Sequence, residues 1–421
     1  MARKNAAPHH EIPDAQQSVW ELSSIQLSGW MSLPILATSV LVLQQNSFYG
    51  AALTIIVGNA ILWFIRLGII VMSHKDRQST LDISRTYLGS LGAYAIGALL
   101  LISTLAWFIA QTTAASNTLT HLMKFSENPS IDRFIQMSVL IGVLSTFLCM
   151  EGITLLKKMA TFIFPFLLIA FVVIIFMLPF HWPKQETAAL SLSGLTLVLA
   201  TNLGITSDLP TFFRHSKSMQ TSVMALTLIQ LCSLALGLFG LYFGSIIAGP
   251  FEVNESVILG TGNDVLRISL IVFVFFSVIC ANVANVYSAS VGWEVIAPKA
   301  LVGRKEYLIL GLILTTVFIL VSNLFSVEFL LHATDCSLVN LCIILILGHI
   351  TSQLSKRAPS TFERNTYFIA WLLSTVVNVL HFGRFIPDDV SPLVIGIIVI
   401  LAVIFVSQII QVVCRYRKRA N

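Results

Sequence analysis

Charged side chains are scarce in this sequence: Asp, Glu, Lys and Arg make up only 11% of its 421 residues. Soluble globular proteins carry about 25%, because they need a polar surface around their core. With 56% hydrophobic residues and a mean hydropathy of +0.86, this chain must present apolar side chains to lipid. The composition therefore excludes a disordered or collagen-like chain, a disulfide scaffold and a nucleic-acid-binding protein.

Motifs for catalysis and metal binding are also missing. The sequence contains no phosphate-binding glycine loop, no zinc-protease helix motif and no nucleophile elbow. Its six cysteines form no C-x-x-C pair, and none falls in a segment predicted to face the outside. We therefore expect no disulfide, no metal site, no cofactor and no enzymatic activity. The polar first 18 residues argue against a cleavable signal peptide.

Long apolar segments dominate the sequence. A helix needs about 20 mostly apolar residues to cross the hydrocarbon core of a bilayer. Twelve segments are candidates, although the first carries Pro34 and the sixth is interrupted by Thr201, Asn202 and Gly204. The predicted spans are 28–44, 50–73, 91–116, 134–156, 159–180, 190–207, 220–248, 267–296, 306–326, 328–351, 366–383 and 391–413.

Basic residues are distributed unevenly between these spans. If the N-terminus lies inside, 19 of the 25 Lys and Arg residues fall in inner segments and five in outer segments. Cytoplasmic segments of membrane proteins carry such an excess of positive charge. The sequence therefore predicts a multi-pass protein of the cell membrane, of the bacterial inner-membrane type, with both termini in the cytoplasm.

Helix-breaking residues recur five spans apart, at Pro34 and in the segment TNLGITSDLP. Secondary transporters often contain two inverted repeats, each opening with a broken helix that binds substrate and ion. The alternative is that Pro and Gly are simply common in membrane helices. The repeat interpretation predicts a cytoplasmic tail at 1–27, repeats at 28–186 and 187–351, two peripheral helices within 352–413 and a basic tail at 414–421.

Several motifs then follow in order: LSGWMSLP and IVGNAIL in the first two spans, TLAWFIAQ in the third, TSDLPTFFRHSK at the sixth and NVANVYSAS in the eighth. Together they resemble the nucleobase–cation symporter-1 family, from about residue 28 to residue 300. The resemblance implies an all-α membrane protein with a five-plus-five inverted repeat and two peripheral helices. It also implies import of a nucleobase or related small planar heterocycle by alternating access.

The third and eighth spans carry the candidate substrate-binding residues. Trp107 and Gln111 lie one helical turn apart and face the same direction. The indole could therefore stack on a flat ligand while the amide forms hydrogen bonds with the edge of the same ligand. Asn282 and Asn285 share a face and need partners inside the bundle. Helix packing could also account for both pairs. The resemblance and the sixth-span interruption add Thr104, Leu199, Thr201 and Asn202 as candidates.

Ionisable residues in the spans bear on ion coupling, because a charge within the membrane is costly and usually functional. Asp335 has His332 one turn earlier, a pair that could relay a proton or lie hydrated near the outer mouth. The resemblance places the hydroxyl ligands of sodium-coupled members at Cys280 and Ala281, which leaves only backbone carbonyls near Ala37. We therefore expect coupling to a proton, or none, with sodium as the alternative.

Two further groups of charges lie toward the inner side. Asp208 and Arg214 are candidates for an inner gate, with a solvated face as the alternative. Arg66, about seven residues from a cytoplasmic helix end, is predicted to snorkel to the interface or to form a salt bridge.

The sequence as a whole predicts a transporter for a small planar heterocycle, embedded in the lipid bilayer. An amino-acid or amine carrier of the same fold, in which Trp107 only packs, is the main alternative. A channel or a membrane receptor is a more distant one.

Overall fold

The computed structural model describes residues 16–31, 33–123, 131–150, 152–178, 188–247, 263–296, 304–321, 327–386 and 391–420. Within these ranges the chain is almost entirely helical, and the one β-type contact is an isolated bridge between Gln17 and Ser216. The helices are α1 (Val19–Trp30), α2 (Leu33–Gln44), α3 (Phe48–Asp76), α4 (Thr80–Leu122), α5 (Ile131–Cys149), α6 (Ile153–Met177), α7 (Leu192–Thr206), α8 (Leu209–Phe213), α9 (Met219–Ile247), α10 (Asp264–Ile296), α11 (Arg304–Val321), α12 (Val327–Ser355), α13 (Thr361–Phe382) and α14 (Pro392–Ala420).

The outer surface of the bundle is apolar, as a lipid-facing surface must be. Phe64, Phe176 and Leu354 are 69%, 81% and 81% exposed. Seven helices of the described ranges are long and apolar enough to cross a membrane, and three shorter apolar helices accompany them. The chain is therefore a multi-pass membrane protein. Each of the twelve predicted spans coincides with at least one helix, while the number that crosses the bilayer stays a prediction.

The first predicted span is two helices, and it begins earlier than predicted. Ser18 and Glu21 form a capping box at the start of α1, in which each side chain bonds the backbone of the other residue. This helix ends at Trp30, and α2 starts at Leu33. Because Pro34 is the second residue of α2, it stands where proline is tolerated and the preceding helix cannot continue.

The predicted interruption of the sixth span at 201–204 is wrong, since α7 continues through these residues to Thr206. The Thr201 hydroxyl and the Asn202 amide donate to carbonyls one turn earlier in the helix, so both are satisfied within it. The chain turns at 207–208 instead, and Pro210 is the second residue of the short helix α8.

Helices α4 and α10 form the central contact of the bundle. They approach closely where Gly97 faces Gly292, and a methyl group added at either glycine would lie 3.1–3.3 Å from the other's carbonyl oxygen. Helix α1 packs against α6, α9 and α10, and α3 packs against α7 and α9. The C-terminal end of α7 thereby lies close to the start of α4, where the Thr80 hydroxyl donates to the Ser207 carbonyl at 2.6 Å. The end of α1 lies beside the middle of α10, where Gly29 faces Ala281.

A second close approach joins α5 to α11. Gly142 faces Thr315, and Gly311 faces Thr146. Each threonine hydroxyl donates to the carbonyl of the glycine on its own helix, at 2.8 and 2.9 Å. Small residues allow membrane helices to pack at this distance.

We expect Gly142→Ala to lower the melting temperature of the purified protein. The added methyl group would lie 2.7 and 2.9 Å from the two branches of Thr315, so rotating that side chain cannot relieve the clash, and overpacking costs about 1–3 kcal/mol. Gly68→Ala is the matched control, because its methyl group would meet Ile346 at an ordinary 3.4 Å. Equal melting temperatures for the two variants would contradict this account of the contact.

Candidate functional site

A cavity of about 90 Å³ lies where α1, α4, α10 and the turn between α7 and α8 meet. On α4 the lining residues recur at helical spacing, so one face of that helix forms a wall. On α10 the same holds. The lining residues are Ile25, Gln26, Gly29, Trp30, Leu100, Ser103, Thr104, Trp107, Gln111, Ser207, Asp208, Phe212, Ala281, Ala284, Asn285, Ser288 and Leu338.

Three aromatic side chains contribute to the cavity wall: Trp107, Trp30 and Phe212. The indole N–H of Trp107 donates to the Asp335 carboxylate at 3.0 Å. Asp335 is 4% exposed and lies behind the tryptophan rather than in the lining. The indole nitrogen is therefore already used, and the ring itself is what Trp107 offers to a ligand. Thr104 also lines the cavity, but its hydroxyl donates to carbonyls of its own helix.

The amide groups of the site come from α4 and α10. Gln111 and Asn285 both line the cavity, and the Asn285 amide donates to the Gln111 side-chain oxygen at 3.3 Å. A bond of this length is weak, so a ligand with a matching edge can replace it. Asn282 lies deeper: its amide donates to the Thr112 hydroxyl at 2.9 Å, while its carbonyl oxygen has no partner within the described ranges.

Asp208 is the charged side chain in the lining of the cavity. It lies at the turn before α8 and accepts a short hydrogen bond from the Ser288 hydroxyl of α10. Arg214, its predicted gate partner, is close to Asp208 but bonds His215 and Tyr287. The two gate candidates are therefore near each other, and Asp208 faces the cavity rather than forming an ion pair.

Several predicted site residues lie away from the cavity. Leu199 packs with the apolar side chains of α2, α3 and α9, and Thr201 and Asn202 bond within the unbroken helix α7. Ala37 lies inside the continuous helix α2, so its carbonyl is not a free ligand. The expectations for Thr201, Asn202 and Ala37 followed from misplacing the two helix breaks, whereas Leu199 was a candidate because of the family resemblance.

The candidates for ion coupling are separated in the structure. The Cys280 thiol meets the Ser28 hydroxyl where α10 packs on α1, and the neighbouring Ala281 faces Gly29 at the cavity wall. The His332 ring stacks on Phe382 of α13 at 5.6 Å, whereas Asp335 bonds Trp107.

The sequence interpretation missed Gln26, Trp30 and Phe212 as cavity residues. Gln26 lay in the predicted tail, although the S-x-x-E pattern at 18–21 is a signal for a helix start. Arg66 was also placed wrongly. It is 0% exposed and neither snorkels nor forms a salt bridge with any described carboxylate.

Comparison with known proteins supports the fold. No protein-family model and no curated protein matches the chain. Among solved structures, Mhp1, a nucleobase-cation-symport-1 family transporter in a closed conformation with bromovinylhydantoin bound, is similar with a TM-score of 0.67 and 14% identity, over 93% of this chain and 96% of that one.

Two other solved structures extend the comparison. A Na⁺-coupled sialic acid symporter gives a TM-score of 0.56 at 13% identity, over 88% of this chain and 91% of that one. An Eremococcus coleocola manganese transporter mutant gives 0.53 at 14%, over 95% of both chains. The chain thus has a fold shared by secondary transporters, which confirms, for the fold, the family resemblance seen in the sequence.

We expect Trp107 and Asp335 to be energetically coupled. Trp107→Phe leaves the buried carboxylate without its indole donor, and Asp335→Asn removes the charge. The double variant should therefore lose less stability than the sum of the losses in the two single variants. A bond to a charged group contributes about 1.5–3 kcal/mol, which melting temperatures can detect. Trp371→Phe combined with Asp335→Asn is the control: the two effects should add, because the Trp371 indole donates to the carbonyl of Ser337 and not to Asp335. Additive effects of Trp107→Phe and Asp335→Asn would refute the coupling.

Proposed function

We propose that the protein is a secondary transporter that imports a nucleobase or a related small planar heterocycle by alternating access. The observation that carries this proposal is the cavity, which combines indole rings with a Gln–Asn pair at the junction of two interrupted helices. Flat rings gain about 1–3 kcal/mol from stacking on an aromatic side chain. Amide side chains read both donors and acceptors at a ring edge.

The chemistry of the lining favours a ligand rich in N–H groups. Asp208 and the oxygens of Gln111 and Asn285 are acceptors, and the described lining contains no Lys, Arg or His. A carboxylate ligand would therefore meet no positive side chain there. The cavity volume of 90 Å³ is also small beside the roughly 300 Å³ or more of sites that bind drug-sized ligands. This difference favours a ligand with a single ring.

An amine carrier of the same fold is the second candidate. Asp208 favours it, because a carboxylate in a water-poor cavity can bind an ammonium group. An amino-acid substrate is less consistent with the lining, since its carboxylate would lack a basic partner. The aromatic wall and the amide pair favour the heterocycle over both.

The coupling ion is proposed to be a proton. Sodium prefers oxygen ligands, and Cys280 and Ala281 offer a thiol and a methyl group where α10 meets α1. Asp335 is a buried carboxylate in direct contact with Trp107 of the cavity wall. Proton uptake by this carboxylate would remove its charge and change its bond to the indole, and thereby link protonation to the cavity.

The membrane arrangement is proposed from the same fold. The first ten of twelve spans would be related by a five-plus-five inverted repeat, with the last two peripheral, because the interruptions fall in the first and sixth spans and the central α4–α10 contact joins the third to the eighth. The excess of basic residues in the inner segments favours the cell membrane with both termini in the cytoplasm.

We expect planar heterocycles to raise the melting temperature of the protein. The panel should contain uracil, cytosine, hypoxanthine and hydantoin beside amino acids and primary amines. For the ligand that binds, Trp107→Ala should weaken affinity by about 5- to 150-fold, since about 1–3 kcal/mol of stacking is lost. Trp371→Ala, an equal truncation outside the cavity, should leave affinity unchanged. Stabilisation by amines alone would favour the second candidate instead.

We expect accumulation of that ligand in proteoliposomes to follow an imposed pH gradient. A sodium gradient at equal pH should produce none, because the resemblance places the hydroxyl ligands for sodium at Cys280 and Ala281, and neither side chain has a hydroxyl group. Asp335→Asn should abolish the response to the pH gradient while counterflow exchange of the ligand continues. Accumulation driven by sodium in the wild-type protein would overturn the assignment of the coupling ion.

A further inference from the structure

Arg66 lies in the interior of the bundle, on α3, and no part of it is exposed. Its guanidinium donates three hydrogen bonds in three directions: Nε to Thr206 Oγ1 at 2.9 Å, one Nη to the Gln230 side-chain oxygen at 2.6 Å and the other to the Asn202 carbonyl at 3.0 Å. All three acceptors are neutral. A buried cation without a counter-ion is costly, so its position requires an explanation.

The partners of Arg66 belong to helices that form or support the cavity. Thr206 and Asn202 are in the last turn and a half of α7, directly before the cavity residues Ser207 and Asp208. Gln230 is on α9, and its amide donates to Asn59 on α3 at 2.6 Å. The bonds therefore tie α3, α7 and α9 together at one point.

The fourth contact reaches α1. The guanidinium carbon lies 4.3 Å from the centre of the Trp30 ring, a cation–π distance. Trp30 is the last residue of α1 and lines the cavity, whereas Arg66 does not line it. Arg66 thus touches the cavity wall from behind.

Both interrupted helices end at this guanidinium. Carbonyl groups at the C-terminal end of a helix carry a partial negative charge, and a cation there is favourable. At the end of α7 the guanidinium donates to the Asn202 carbonyl and the Thr206 hydroxyl, and at the end of α1 it contacts the Trp30 ring. Lysine could not replace arginine here, because an ammonium group lacks the planar fork that serves three acceptors and an aromatic face together.

We propose that Arg66 is a positioning residue of the cavity: it is a fixed internal cation that holds Trp30 on one side and the 207–208 turn on the other in their binding positions. This inference rests on the proposed function in one respect only, that the cavity is the substrate site. Arg66 acts through Trp30 and the α7 end and does not contact the substrate.

The test is chemical rescue of Arg66→Ala by methylguanidinium, which can refill the space left by the side chain. We expect millimolar methylguanidinium to raise the melting temperature of Arg66→Ala by about 2 °C or more, although guanidinium ions normally destabilise proteins. It should not raise that of the wild type or of Arg85→Ala, an arginine of the α4 surface. Methylammonium, which has the charge without the fork, should not rescue. Absence of any rise specific to Arg66→Ala would overturn the proposal.

The effect on the cavity is measured with the panel heterocycle that stabilises the wild type most. Arg66→Ala should bind it at least about tenfold more weakly, and methylguanidinium should restore the affinity. If Arg66→Ala does not fold, Arg66→Lys serves the same purpose: its affinity should fall by about tenfold, and wild-type affinity in Arg66→Lys would refute the positioning role.

The two proposals fail separately. If no heterocycle stabilises the wild type, the proposed function is wrong. The thermal rescue still tests whether Arg66 holds the ends of α1 and α7 in place. Heterocycles could instead bind the wild type while methylguanidinium restores the stability of Arg66→Ala but not its affinity for the heterocycle. Arg66 would then stabilise the helix ends without positioning the cavity residues.

Discussion

The structure depends on how helix ends are satisfied within an apolar bundle. Each helix end leaves backbone groups without intrahelical partners, and lipid offers none. Here α1 ends at Trp30 and α7 at Thr206, both among buried residues. Arg66 places its positive charge beside both ends: it donates to the Asn202 carbonyl and the Thr206 hydroxyl of α7 and packs on the Trp30 ring of α1. The interruptions that create the cavity are therefore tolerable because a cation is built into the neighbouring helix α3.

Three further pairs of polar side chains at or beside the cavity also join different helices. Asn282 bonds Thr112, Asn285 bonds Gln111, and Ser288 bonds Asp208. The first two pairs join α10 to α4, the helices in closest central contact, and the third joins α10 to the α7–α8 turn. If α10 moved relative to the α7–α8 turn, the bond between Ser288 and Asp208 would break.

The sequence predicted the fold class and part of the site for identifiable reasons. Composition and twelve apolar segments define the bundle, and the third- and eighth-span motifs carry Trp107, Gln111 and Asn285, which the structure brings together. The helix breaks were harder to place, because Thr201 and Asn202 resemble breakers yet bond within their helix. Arg66 could not be interpreted locally, since its acceptors lie 136 or more residues away in sequence.

The two tryptophans of the cavity share one arrangement: each has a buried, potentially charged group behind it. Trp30 lies against the Arg66 guanidinium, and Trp107 donates to the Asp335 carboxylate. Neither group lines the cavity, so the ligand meets indole rings rather than the charges themselves. Arginine keeps its proton under ordinary conditions, whereas a carboxylate can gain one. The Trp30 wall is therefore held by a constant charge and the Trp107 wall by a variable one. Of the two, only the Trp107 wall can respond to a proton, so the proposed proton coupling would act on the cavity through this wall while Arg66 keeps its charge beside the interrupted helices.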